Sequence, residues 1–151
     1  ARACAVPFRV IATDVSVDAL ALAHEGVYDR TAVQNIRLRH LQDWFAVTGD
    51  TYTLAPRLRD RVHFSAYDLL DERSGCPPAS LYGDFDLILC CHLLFYYRPE
   101  IRQRILDKVC HALPPGGYLV TSATERDMVT QHGTLRPLAL PTSVFRKRGS
   151  G

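Results

Sequence analysis

No apolar run in these 151 residues approaches the roughly 20 that a membrane-spanning helix needs, so membrane insertion is not expected. The opening Ala1-Arg2-Ala3-Cys4-Ala5-Val6-Pro7 lacks the long apolar centre of a signal peptide. A one-sided charge is missing too: 18 Lys and Arg against 16 Asp and Glu leave +2. So small a surplus argues against nucleic acid or an acidic membrane as the main partner. There is no Cys-x-x-Cys, and the five cysteines at 4, 76, 90, 91 and 110 are odd in number. Neither a disulfide framework nor a zinc site fits that pattern. The cysteines are expected to be reduced, mostly buried thiols of a cytoplasmic protein. What remains is ordinary: 47% apolar and 23% charged residues, as in a single globular domain.

Phe8-Arg9-Val10-Ile11-Ala12-Thr13 reads as a strand stopping at Asp14, after which Ser16 can cap a helix that Gly26 ends. Leu20, Ala23 and Val27 mark the apolar face of that helix. Val33, Ile36, Leu41, Trp44 and Phe45 predict a second helical stretch. Trp44–Val47 and Thr51–Leu54 flank Thr48-Gly49-Asp50 as a hairpin. Val62–Ala66 is a further strand, Asp71–Gly83 a loop, and Phe85–Cys91 a strand expected to be buried on both faces. Pro99 starts a helix with the stripe Ile101, Ile105, Val109 and Leu113, which Pro114-Pro115-Gly116-Gly117 ends. Tyr118–Thr121 and Val144–Lys147 are the last expected strands. The alternation predicts a doubly wound α/β sheet, whose ligands sit at the carboxyl ends of the strands.

Three of those ends carry polar residues: Asp14, Asp68 and the pair Cys91-His92. A carboxylate ending a strand can take two ribose hydroxyls at once, but Asp14 is equally well placed to start a helix, and both readings stand open. Asp68 alone is no more specific. His92 reads as a packed core histidine as readily as a ligand contact; with no second ligand at useful spacing, no metal is expected. Cys91 makes a poor nucleophile in an apolar site, Tyr96 and Tyr97 read equally as packing aromatics, and Arg146-Lys147-Arg148 reads as a solvated strand end.

In combination the motifs resemble one family. The pieces are Ile11-Ala12-Thr13-Asp14-Val15-Ser16, Ala19-Leu20-x-x-Ala23-x-x-Gly26-Val27-Tyr28, Trp44-Phe45, and Arg61-Val62-x-Phe64-x-x-x-Asp68-Leu69-Leu70. Phe85–Cys90, Leu113-x-Pro115-Gly116-Gly117-Tyr118-Leu119 and Val144–Lys147 follow in order. From about residue 9 to 148 the chain resembles the chemotaxis receptor glutamate methyltransferases, the CheR family. The resemblance implies a class I, Rossmann-like methyltransferase sheet and S-adenosylmethionine as cofactor, with S-adenosylhomocysteine as product. It implies that Asp14 holds the ribose, Asp68 and Leu69 the adenine side, and Cys91 and His92 the methionyl part. Tyr96 would lie near the acceptor as the catalytic-site residue. The implied partner is the cytoplasmic domain of methyl-accepting chemoreceptors, and the implied activity is methyl transfer to their glutamate side chains. The hairpin, within about 44–61, would be the family's inserted β-subdomain, its short turn leaning against docking of a receptor tail.

Three departures stand out. Cys91-His92 replaces an Arg-Asn pair, and Asp68 stands where some members have Asn. The glycine-rich first strand is expected ahead of Phe8, and the seven residues there hold no glycine. The 151 residues are therefore expected to be part of a longer methyltransferase domain whose central strand lies outside them. Two alternatives stand beside it: a catalytically inactive binding module, motivated by Cys91-His92 and the missing glycine loop, and a nicotinamide oxidoreductase, which the run from Asp68 through Gly117 disfavours.

Overall fold

The computed structural model describes residues 7–80 and 83–149; Cys4, and Leu81 and Tyr82 of the expected loop, lie outside them. The backbone forms two compact units, one up to Asp68 and one from Leu69 onward.

The first unit runs β1 (Val10–Asp14), α1 (Val17–Glu25), β2 (Val27–Asp29), α2 (Arg30–Val33), α3 (Leu38–Trp44), β3 (Phe45–Thr48), β4 (Thr51–Leu54), α4 (Pro56–Arg59) and β5 (Val62–Ala66). β1 and β5 pair in parallel, from Val10 opposite Val62 to Asp14 opposite Ala66. The connection between parallel strands needs a crossover, and α1 with the segments after it provides one. Ser16 caps α1 through its hydroxyl, which accepts the Ala19 N–H at 3.2 Å. Gly26, at φ +65°, closes the helix in the left-handed conformation that glycine adopts without a Cβ penalty. α1 packs on β1 and β5, with His24 edge-on to Phe64 at 5.7 Å.

Two expectations change in this unit. The stretch from Val33 to Phe45 is not one helix. Asp29 caps a first short turn by accepting the Ala32 N–H at 2.7 Å, the chain leaves helical geometry near Gln34-Asn35, and α3 restarts at Leu38. Asn bonds to nearby backbone outside helices and so favours such a break. The hairpin also gains a strand: Val27 belongs to β2, which pairs antiparallel with β4, giving the order β2-β4-β3. Tyr28 lies opposite Tyr52 and edge-on to Phe45 at 6.1 Å, a cross-strand aromatic cluster that favours the extended form. Arg57 stacks 4.2 Å over the Trp44 ring and donates to the Asp43 carbonyl, fixing α4 beside α3.

The second unit runs β6 (Leu87–Leu89), a 3-10 turn (Leu94–Tyr96), α5 (Pro99–Ala112), β7 (Tyr118–Val120), α6 (Arg126–Thr130), β8 (Leu135–Pro137) and β9 (Val144–Lys147). The sheet order is β6-β7-β9-β8, parallel for β6-β7 and antiparallel beyond. The α5 stripe is as predicted: Ile105, Val109 and Leu113 are buried, and Leu106 and Cys110 widen it. They pack with Leu94, Leu119, Val129, Leu135 and Phe145 into one core. Buried His132 ties α5 to the segment before β8, its Nε2 3.0 Å from Asp107 and its Nδ1 2.9 Å from the Thr134 hydroxyl.

β6 departs from expectation. It is short, and only Ile88 packs on the core; Leu87 is 53% and Leu89 68% exposed. Side chains alternate along a strand, so one face of β6 meets the core and the other is uncovered among the described residues. Likewise β1 pairs with β5 alone and β6 with β7 alone among those residues. Arg146 and Lys147 do more than solvate a strand end. Lys147 donates to the Leu113 carbonyl at 2.5 Å and Arg146 to that of Gly116 at 3.2 Å, bracing the turn that ends α5.

Candidate cofactor-binding site

In the first unit the carboxyl ends of β1 and β5 stand side by side. The pairing closes at Asp14 opposite Ala66, and the Tyr67 N–H then donates to the Asp14 carbonyl at 3.0 Å. This bond brings Asp68, the next residue, to the same end of the sheet as Asp14. The Asp14 side chain is exposed, and its Oδ1 accepts the Ser16 N–H at 2.8 Å. Asp14 therefore does start the helix. A carboxylate has about four lone-pair sites, so acceptor capacity for hydroxyl donors remains. Asp68 is exposed, while Leu69 is half-buried against the core of the second unit.

In the second unit the residues expected at the site lie on the segment that follows β6. Cys90 is buried, Cys91 is exposed and lies 3.8 Å from the Val120 carbonyl, and His92 is exposed with φ +58°. His92 is thus no core histidine. Its ring lies 6.4 Å from Phe95, which in turn lies 4.3 Å from Tyr96. Tyr96 is 75% exposed on the 3-10 turn, so it is not a packing aromatic, whereas Tyr97 packs against the core. Of the described cysteines, Cys90 and Cys110 are buried, Cys76 is half-buried, and exposed Cys91 departs from the buried expectation. Its thiol pKa is still raised, by desolvation first and by the charge of Glu125 second. That keeps it a poor nucleophile.

Glu125 is the residue that sequence reasoning missed. It is fully buried, just before α6, and its carboxylate collects donors from both strand ends. Oε1 accepts the N–H groups of Leu93 and Leu94, each at 2.6 Å. Oε2 accepts the His92 N–H at 2.8 Å, the Ser122 hydroxyl at 2.5 Å and the Thr121 hydroxyl at 3.1 Å. Burial pushes the pKa of Glu125 up, but the hydrogen bonds from Ser122, His92, Leu94 and Leu93 outweigh it and bring it down to about 2. The signal was available: Thr121-Ser122-Ala123-Thr124-Glu125 is a polar run just past a strand, where an α/β sheet places its functional residues.

A family model described as "CheR methyltransferase, SAM binding domain" matches residues 1–142. The chain belongs to this family. It is 36% identical over 119 residues to chemotaxis protein methyltransferase 1 of Pseudomonas aeruginosa, covering 78% of this chain and 41% of that one. It is 30% identical over 143 residues to a probable biofilm formation methyltransferase, WspC, of the same organism, covering 93% of this chain and 32% of that one. The chain thus spans 41% of one of these relatives and 32% of the other. Among solved structures it resembles the N-methyltransferase NodS of Bradyrhizobium japonicum, solved with S-adenosyl-L-homocysteine, with a TM-score of 0.53. That likeness, at 16% identity over 93% of this chain and 67% of that one, shows an α/β methyltransferase fold. CheR domains bind S-adenosylmethionine, and the residues present suit it: an exposed carboxylate at the end of β1, and exposed polar and aromatic side chains after β6. Among the described residues no helix is long and apolar enough to cross a membrane.

Proposed function

We propose that this chain is part of one S-adenosylmethionine-dependent methyltransferase domain, with the β2-β4-β3 sheet as its insertion, acting on glutamate side chains of chemoreceptor cytoplasmic domains in the cytoplasm. The observation that carries this reading is the family match across residues 1–142. Asp14 would accept the ribose hydroxyls, Asp68 and Leu69 would border the adenine, and Cys91 and His92 would border the methionyl group. Tyr96, exposed on the turn beyond, would face the acceptor.

The chemistry asks little of the side chains. When bound, the cofactor would supply an activated methyl group for the acceptor carboxylate, with Asp14, Asp68, Leu69, Cys91 and His92 holding it and Tyr96 beside the acceptor. No proton needs to move if the acceptor is ionised. The protein's part is to align the two partners and exclude water.

The test is transfer of tritiated methyl groups by the full-length protein to receptor cytoplasmic domains, with base-released methanol marking an ester. Radiolabel that appears in methanol supports the reading. Tight S-adenosylhomocysteine binding without transfer would instead favour the inactive binding module, which the loss of the Arg-Asn pair at Cys91-His92 motivates.

A further inference from the structure

The amides of His92, Leu93 and Leu94 point at one carboxylate, and the first of them belongs to a residue in the left-handed region. Successive N–H groups in such a conformation form a concavity that binds anions. Here the anion is the protein's own Glu125, with no exposure to solvent. The opposite side of the segment is held as well, because Arg102 Nε donates to the Leu94 carbonyl at 2.9 Å. The side chains of Cys91, His92, Phe95 and Tyr96 nevertheless remain exposed. A backbone fixed from beneath presents these side chains to whatever binds above it.

We propose that Glu125 is a positioning residue, the resident anion of a backbone nest, and that it sets cofactor affinity and methyl-transfer rate by fixing residues 91–96. The proposal rests on the reading of that segment as the methionyl and acceptor side of the site. A core position filled only for packing has no need of a carboxylate, since a buried charge costs free energy unless hydrogen bonds compensate it. Glu125 has that compensation, and half of its donors belong to the site segment itself. The nest also bears on specificity. With Glu125 in place its three amides are engaged, so the cofactor's own carboxylate must find its donors elsewhere.

The experiment uses the full-length protein with Glu125→Ala and Glu125→Gln. In Glu125→Ala, S-adenosylhomocysteine affinity should fall at least tenfold, with kcat falling by a larger factor than KM rises. The amides of residues 92–94 should lose protection from hydrogen exchange. Added acetate should restore protection and part of the affinity, while chloride at equal ionic strength should not, because only a carboxylate can span the vacated nest. Glu125→Gln fills the space but turns a donor toward the amides; it should lose affinity without acetate rescue, and it carries the test if Glu125→Ala does not fold. A folded variant with unchanged affinity and protected amides overturns the proposal, as does lowered melting temperature with binding intact. A wild-type protein that fails to bind S-adenosylhomocysteine defeats the functional reading. The nest then stands if exchange protection of residues 92–94 is lost in both variants and returns with acetate in Glu125→Ala alone, and falls if it is not lost.

Discussion

Oε1 of Glu125 lies 2.6 Å from the amide nitrogen of Leu94, a residue 31 positions earlier in the chain. The bond ties the segment after β7 to the segment after β6, and it is strongest while the carboxylate is ionised. Folding lowers the Glu125 pKa from 4.5 to about 2, so the unfolded chain holds the proton more tightly. Its contribution to stability is therefore complete above about pH 4.5 and lost as pH falls toward 2. The shift corresponds to roughly 3 kcal/mol. Denaturant melts of wild type and Glu125→Gln should differ most at neutral pH and converge in acid. A gap that stays constant from pH 7 to pH 3 would contradict this account.

Asp14 accepts the Ser16 N–H and is proposed to accept the ribose hydroxyls, and one pair of variants separates the two. Asp14→Ala removes the Ser16 N–H acceptor and the proposed ribose acceptor, so it should weaken S-adenosylhomocysteine by about 2 kcal/mol and also destabilise the start of α1. Asp14→Asn keeps an oxygen for the Ser16 N–H but loses the charge. It should melt close to wild type and still bind more weakly. Calorimetry with thermal melts decides the matter, and unchanged affinity in both variants would remove Asp14 from the site.

How far the sequence reached depends on the range of the physics involved. The Ser16 cap, the Gly26 terminator, the α5 stripe and the Thr51–Leu54 strand are local patterns, and each lies where its residues predict. β2 was hidden because Val27 also fits the helical spacing of α1, and only its pairing with β4 decides between the two. The reach of β6 was overstated for a similar reason: an apolar run shows hydrophobicity but not which face has a partner. Glu125 is the clearest omission. Its donors come from 3, 4, 31, 32 and 33 positions away, and nothing in a single sequence pairs them.

Glycines separate conformational strain from crowding. Gly49 has φ +60° with open space around an added Cβ, so Gly49→Ala should cost about 1 kcal/mol from strain alone. Gly83 has φ +72° and a Cβ there would meet the Ala112 backbone at 3.3 Å. Backbone cannot swing aside, so Gly83→Ala should cost clearly more, about 2–3 kcal/mol. Equal melting shifts for the two would show that Gly83 is less confined than it stands.

Strand edges set the solution behaviour. β1 and β6 each have one partner among the described residues, and Leu89 on β6 is 68% exposed. Open apolar parallel edges pair with other chains. The 151-residue chain studied by itself should associate at micromolar concentration, and Leu89→Lys should reduce that association. Sedimentation velocity gives the answer; a monomeric, cooperatively melting chain would contradict it.

Cys91 and His92 offer the sharpest test of turnover, because both positions are exposed. Position 92 sits at φ +58°, where Asn is far more common than most residues, so His92→Asn suits the backbone and leaves the N–H bond to Glu125 in place. Position 91 is exposed, and the Glu125 charge, second to desolvation in raising the Cys91 thiol pKa, would favour a cation there, so Cys91→Arg meets an opposite charge. A donor that positions reacting groups is worth about 2–3 kcal/mol of barrier, roughly two powers of ten in rate. The double variant in the full-length protein should therefore transfer methyl groups about 10–100-fold faster than the unmodified protein. His92 offers one donor and one acceptor as a neutral imidazole and so covers part of what the amide would supply. Single variants should show this, with Cys91→Arg giving the larger gain. Initial rates of tritiated methyl ester formation on receptor cytoplasmic domains measure both effects. A double variant no faster than the unmodified protein would mean that residues 91 and 92 do not limit the reaction.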